Sequence, residues 1–265
     1  TGAYKVSRKN LVANIINKRF DRYDAAKGLS RDVTSVLHDS NDQLWFITDL
    51  GIKQLNKKTG TFDFYLPSGI DFVQFSAIAE DGNKDLWLGT PSSGCWRYSQ
   101  KQKKYISYTV ENGMLGTNFV SVLQANSKGE MMIGTWGGGV TLVKGDNVEI
   151  LAEKNGLSEN KIRCLGEDRE GNLWIGTNQN GVSCYRGQSF RMYERSSNGT
   201  NTQIGAICTD SKGNRWFGTT NGIFFMPKGS QVSRRIDFLT GGEEIEVTSI
   251  LEDKRGLIWV STWGE

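Results

Sequence analysis

"GNLWIGTNQNGV" runs from Gly171 to Val182, and variants of it recur along the whole chain. "DQLWFITDLGI" starts at Asp42, "KDLWLGTPSSGC" at Lys84 and "GEMMIGTWGGGV" at Gly129. "GNRWFGTTNGI" starts at Gly213, and "GLIWVSTWGE" at Gly256. The tryptophan of the phrase falls at Trp45, Trp87, Trp174, Trp216 and Trp259, with Met132 in its place in the third copy; the spacings are 42, 45, 42, 42 and 43 residues. A period in the low forties with strand-like content predicts β-propeller blades of four strands each.

The fourth copy shows the parse. "KIRCLGED" reads as strand a, "REGN" as a turn and "LWIGT" as strand b. After a second turn ending at Gly181, "VSCYR" reads as strand c and "SFRMY" as the outer strand d. Both faces of a blade pack on neighbours, so its strands are apolar nearly throughout. Strand a, nearest the axis, carries a ring of mostly small residues: Thr34, Ser76, Ser121, Arg163, Gly205 and Thr248. Only Arg163 breaks that ring.

The chain ends with strands a and b of a blade, "EVTSILED" and "LIWVSTWGE", and begins with what reads as strands c and d. One mixed blade, with Ala3–Tyr23 against Val247–Thr262, would close the ring and remove its unpaired edge. The expectation is an all-β propeller of about six four-stranded antiparallel blades, a single domain over residues 1–265.

Composition agrees with many short strands. The chain has 32 glycines and 3 prolines, and 11% of its residues are aromatic. Its net charge of +3 is dispersed, whereas a nucleic-acid surface clusters its Lys and Arg. No apolar run reaches the roughly 20 residues of a membrane span, so direct membrane insertion by this chain is not expected. There is no signal peptide and residue 1 is Thr, which suggests a processed or excised piece of a larger protein. Cys95, Cys164, Cys184 and Cys208 lack metal-ligand spacing and read as buried free thiols. No cofactor or metal is expected.

The phrase LWIGTxxxG, with "NGLSENKI" before it and spaced aromatics after it, resembles the two-component regulator propeller repeat. "KGLSRDVTSVLHD" from Lys27 and "NGLSENKIRCLGED" from Asn155 carry the resemblance, as does "GLIWVSTWGE", with Ser261 where that family usually has Gly. The resemblance implies a periplasmic or cell-surface sensor propeller of a membrane-bound hybrid regulator, a family in which many members detect oligosaccharides. Those sensors carry more blades, a small β-sandwich, a membrane helix and kinase modules. The expectation is therefore a sensor fragment or a stand-alone propeller, whose partners are an oligosaccharide, the other domains of a membrane-bound sensor, or a second subunit.

Two faces differ in their turns. The a–b and c–d turns ("DREGN", "DSKGN", "NKKTG") read as ordinary solvated turns. The b–c turns on the other face hold Trp136 within a glycine-rich turn, Asn178, Asn180 and Trp263, and the d–a loops there add Arg31 and Lys161. Flat aromatics stack on sugar rings, and amides match sugar hydroxyls. Trp136 and Trp263 read equally as caps on the blade stack. Arg163 is a candidate anion clamp or, alternatively, the partner of a nearby acid such as Glu159 or Glu167. These residues form the candidate ligand site.

Catalysis lacks a base. The single histidine, His38, adjoins an a–b turn on the opposite face, which disfavours Ser-His-Asp or Cys-His chemistry and a His-dependent propeller lyase. No pair of carboxylates is placed for glycoside hydrolysis. A non-enzymatic binding module is expected, with a structural propeller of a surface or secretion assembly as the alternative.

Overall fold

The computed structural model describes residues 3–5, 21–23, 25–29, 32–65, 74–99, 101–193, 203–236 and 246–263. Within them the chain is all-β, apart from two single 3-10 turns, Ala25–Lys27 and Glu153–Asn155. Two short strands open the chain, β1 (Ala3–Lys5) and β2 (Asp21–Tyr23), and pair with each other. Blade 1 comprises β3 (Val33–His38), β4 (Leu44–Thr48), β5 (Gly51–Asn56) and β6 (Thr61–Tyr65). Blade 2 comprises β7 (Ala77–Glu80), β8 (Leu86–Gly89), β9 (Cys95–Ser99) and β10 (Lys104–Tyr108). Blade 3 follows with β11 (Val120–Ala125), β12 (Met131–Thr135), β13 (Val140–Lys144) and β14 (Asn147–Leu151). Blade 4 holds β15 (Ile162–Glu167), β16 (Leu173–Thr177), β17 (Val182–Tyr185) and β18 (Phe190–Tyr193). Blade 5 holds β19 (Ile204–Thr209), β20 (Arg215–Thr219), β21 (Gly222–Met226) and β22 (Arg234–Ile236). The last pair is β23 (Glu246–Glu252) with β24 (Ile258–Trp263).

Each of the five complete blades is a meander of antiparallel neighbours in chain order. The two terminal pairs stand as separate two-stranded sheets, and no ladder joins them among the described residues. The expected pairing of Ala3–Tyr23 with Val247–Thr262 is thus present only as its two halves. In strand a of blade 1 Val36 is 53% exposed, and in the last pair Leu251 is 51% exposed. The counterparts of Val36 in blades 2, 3 and 4 and in the last pair, Ile78, Leu123, Leu165 and Ile250, are all buried.

Every apolar cluster but one spans two consecutive blades. Trp45 and Ile47 pack with Ile78 and Leu88, and Trp87 with Val120 and Ile133. Met132 packs with Ile162 and Ile175, and Trp174 with Ile204 and Phe217. The last interface joins Ala206 and Ile223 to Val247 and Ile250. Each large side chain so buried stabilises the stack by roughly 1.5–3 kcal/mol. Strand b must let the next strand a come close, which explains the glycine of the repeated phrase. A Cβ on Gly176 would lie 2.4 Å from Cys164 Sγ and 2.8 Å from Ile204 Cγ2; on Gly218 it would lie 2.5 Å from Val247 Cγ1.

The a–b turn is locked by its acid. One carboxylate oxygen of Asp168 accepts the amides of Glu170 and Asn172, and the other accepts the Trp174 indole N–H at 2.8 Å. Asp39, Asp81, Asp210 and Asp253 do the same for Trp45, Trp87, Trp216 and Trp259. A second device ties blade to blade. The amide and hydroxyl of Ser40, Ser127 and Ser211 donate to Glu80, Glu167 and Glu252 of the following blade.

Strand a contains a bulge wherever its register skips a residue: at Thr34, Ser121, Arg163, Gly205 and Thr248. These are members of the small-residue ring. The bulge re-aims the side chain out of the ladder toward the neighbouring blade. Ser121 Oγ donates to the Ile162 carbonyl at 2.6 Å, and Ser76 Oγ to that of Val120 at 2.7 Å. A Cβ on Gly205 would meet the Val247 carbonyl oxygen at 2.5 Å.

Candidate functional site

Strand a begins, and strand b ends, on the same face of every blade. There a repeated backbone bond joins the first residue of the b–c turn to the residue that leads into strand a. Asp49 donates to the Asp32 carbonyl (3.2 Å), Trp136 to Phe119 (2.8 Å), Asn178 to Lys161 (3.0 Å) and Thr220 to Gln203 (3.2 Å). In the last pair the equivalent residues, Trp263 and Glu246, are ladder partners. The mouth is therefore built from matched couples in blades 1, 3, 4 and 5 and the last pair; blade 2 has Pro91 at this position, which lacks the amide hydrogen. Their side chains differ sharply: acidic in blade 1, aromatic in blade 3, cationic and amide in blade 4.

The aromatic couple is the most distinctive. The Phe119 and Trp136 rings lie 6.2 Å apart with a 33° tilt. Phe119 is 41% exposed and Trp136 half-buried. The Trp136 turn is fixed from beneath. Gly137 and Gly139 adopt φ of 113° and 77°, and both donate their amides to the Asn160 carbonyl at 3.0 Å. Gly138 lies so close to Gly116 that a Cβ would sit 2.5 Å from the Gly116 carbonyl carbon. Glycine at these three positions is thus required by geometry, and it presents the indole at the rim.

Lys161 is exposed, with Nζ 5.9 Å from the centre of the Trp136 ring. Trp136 and Lys161 also form an isolated β-bridge between blades 3 and 4. Arg163 lies two residues further on, in the bulge. Its guanidinium donates to Gln203 Oε1 and, at 3.4 Å, to Asn178 Oδ1; Glu246 Oε1 is 3.9 Å away. One arginine so links blade 4, blade 5 and the last pair. Neither Glu159 nor Glu167 is its partner. Glu159 accepts the amides of Gln179 (2.6 Å) and Asn180 (3.2 Å), and Glu167 is held by Ser127. Backbone amides that cannot reach a strand need an acceptor, and these two acids are used for that.

The sequence-derived candidates therefore separate. Trp136 and Lys161 meet at the rim together with Phe119, which the sequence reading passed over. Asn178 is buried and bonded to Arg163, and Asn180 uses its amide nitrogen on the Ser158 carbonyl at 2.9 Å. Gln203 and Glu246 join the site only because Arg163 reaches them across blades. The Trp263 backbone lies at the mouth; its side chain and the whole of Arg31 fall outside the described residues.

His38 sits on the opposite face, with Nε2 2.7 Å from Asp42 Oδ1. Burial, only partly opposed by Arg163, pushes the Cys164 thiol up to about 12, so no thiolate forms there at neutral pH. Among the described residues no three His, Cys, Asp or Glu side chains group as a metal site. A cleft of about 300 Å³ between blades 3 and 4 opens on the far face, lined in part by Lys128, Met132, Glu167 and Tyr185. Among the described residues no helix is long and apolar enough to cross a membrane.

Comparison with known proteins agrees with this architecture. A family model described as two component regulator propeller matches residues 156–179 and 241–264. None of the curated proteins compared matches the chain. Among solved structures, the chain is similar to the extracellular domain of BT3049 from B. thetaiotaomicron, described as a hybrid two component system. The identity is 27% and the TM-score 0.75, over 91% of this chain and 33% of that one. It is also similar to the extracellular domain of BT4673 from the same organism, at 20% identity and TM-score 0.75 over 92% and 33%. Virginiamycin B lyase from Staphylococcus aureus shares the fold at 15% identity and TM-score 0.70, over 98% and 90%. The chain spans about a third of the length of the two extracellular domains.

Proposed function

Because the chain carries two-component regulator propeller repeats, we propose that it is a non-enzymatic sensing propeller that binds an oligosaccharide across the mouth formed by the b–c turns and d–a loops. The observation that carries this reading is the pair of Phe119 and Trp136 at the rim, the latter on a turn whose glycines meet positive φ and close backbone contacts. Large aromatic area kept at a surface, beside amides and a cation, suits the apolar face and hydroxyl edge of a sugar. Exposure in the periplasm or at the cell surface, with further sensor domains or a second subunit as partners, accords with the extracellular domains it resembles.

The test is a calorimetric titration of the protein with oligosaccharides released from plant and host polysaccharides. Trp136→Ala should weaken any binding by about 1–3 kcal/mol, the usual cost of losing an aromatic anchor. Lys57→Ala, on the opposite face beside Asp42, should leave it unchanged. If Trp136→Ala and Phe119→Ala both bind as the parent does, the mouth is not the site.

A further inference from the structure

The acids and the base around the aromatic couple are used differently. Glu111 accepts both contacts of the Asn118 amide, at 3.1 and 3.2 Å. Glu153 Oε1 accepts the Asn160 amide at 2.9 Å, while Asn160 Oδ1 accepts the Glu153 amide at 2.8 Å. Glu159 is consumed by the Gln179 and Asn180 amides. Glu111 and Glu153 are locked into the loops they stand on, and Glu159 is locked to the neighbouring b–c turn. Arg163 is likewise committed, to Asn178, Gln203 and Glu246. Lys161 differs. It is exposed, it makes no ion pair among the described residues, and its ammonium lies over the Trp136 ring. Its backbone is nonetheless fixed on both sides, by the bridge to Trp136 and by the amide of Asn178. Among the described residues the rim thus offers an aromatic couple with the Lys161 ammonium over it and in no ion pair, while Glu111, Glu153 and Glu159 are engaged.

From this we infer that the mouth selects an acidic sugar, seated on Phe119 and Trp136 with its carboxylate or sulfate directed at Lys161. The inference rests on the sugar-binding reading of the same mouth and adds the ligand's charge to it. A sugar ring stacked on the couple brings its substituents up to the ammonium, which stands over the Trp136 ring 5.9 Å from its centre. A neutral hydroxyl there replaces water with little gain, whereas an anion forms a charge-assisted hydrogen bond. The contact lies at the rim and is screened by salt.

The experiment uses matched pairs: oligogalacturonate with its methyl ester, and sulfated chondroitin and heparin fragments with their desulfated forms. Binding of each is measured at low and high NaCl, to the parent protein and to Lys161→Met, Trp136→Ala and Lys57→Ala. The expected result is that at least one acidic member binds more tightly than its neutral partner and that NaCl weakens this preference. Lys161→Met should reduce affinity for the acidic member about tenfold while sparing the neutral one. Trp136→Ala should weaken both. The uronate pair and the sulfate pairs distinguish which anion is read. If neutral partners bind as tightly as acidic ones, or Lys161→Met leaves their ratio unchanged, the charge inference is overturned and the platform stands. If no member of any pair binds, platform and inference fall together.

Discussion

The indole N–H of Trp174 donates to Oδ2 of Asp168 at 2.8 Å, and the Arg215 guanidinium of the next blade reaches the same oxygen at 3.1 Å while lying 4.6 Å from the centre of the indole ring. With the Asn172 amide, which donates to the same oxygen at 2.9 Å, three side-chain donors from two blades meet on one buried carboxylate oxygen. Removing the indole N–H alone, in Trp174→Phe, should cost about 1–3 kcal/mol, because one donor to a buried acceptor is lost. Asp168→Asn should cost more, about 3–5 kcal/mol, because a buried guanidinium loses its nearest counter-charge and keeps only Glu170 at 3.7 Å. Urea denaturation of both variants checks the order; equal losses would show that the ion pair adds nothing.

Stability should fall in acid through these same turns. Burial works to raise Asp168 and Asp210, but the indole, asparagine and backbone donors outweigh it and hold both carboxyls below the usual value of 3.8. Asp253 is held lower, first by the Trp259 indole. A carboxyl with a lowered folded-state value binds fewer protons folded than unfolded, so its contribution is complete above the ordinary value and is lost as pH drops through the folded one. Melting temperature should therefore be flat from neutral pH to about 5 and decline steeply below about 4. In Asp168→Asn that decline should be shallower. An identical acid limb in both proteins would remove this carboxyl from the account.

The glycine of the repeated phrase is open to a direct test. Gly176→Ala should destabilise by about 1–3 kcal/mol, because its methyl would press on Cys164 and Ile204, both buried strand residues. The same change at Gly145, where nothing lies within 4 Å but φ is +63°, should cost only the smaller backbone strain. Comparable losses at the two sites would argue against tight blade contact as the reason for the glycine.

The fold was legible because a forty-odd-residue period is a property of sequence alone, and the strand parse followed from Gly-punctuated apolar runs such as Leu173–Thr177. The small-residue ring was also visible, though not as a row of bulges, since a bulge is defined by its partner strand. The acid six residues before each tryptophan was read as a turn residue only, and its bond to the indole became evident once both were placed. Blade 3 shows the dependence. Where Met132 replaces the tryptophan, the turn residue is Asn126, whose amide turns to Glu130 instead. The site was legible in part. Trp136 and Lys161 were recognisable from turn position, but Phe119 enters through Trp136 across its own blade, and Gln203 and Glu246 enter through Arg163 from the following blade and the last pair. Nothing local marks such contacts.

The couples at the mouth have a consequence for how such a molecule changes. Each is fastened by main-chain bonds, so the scaffold is indifferent to which side chains it displays there. A substitution at Lys161 or Phe119 alters what is displayed without disturbing the tryptophan locks or the glycine contacts beneath. The rim behaves as a short text written on a fixed frame, in which individual letters are rewritten while the frame is inherited intact. Selectivity in a protein built this way is free to drift much faster than its shape.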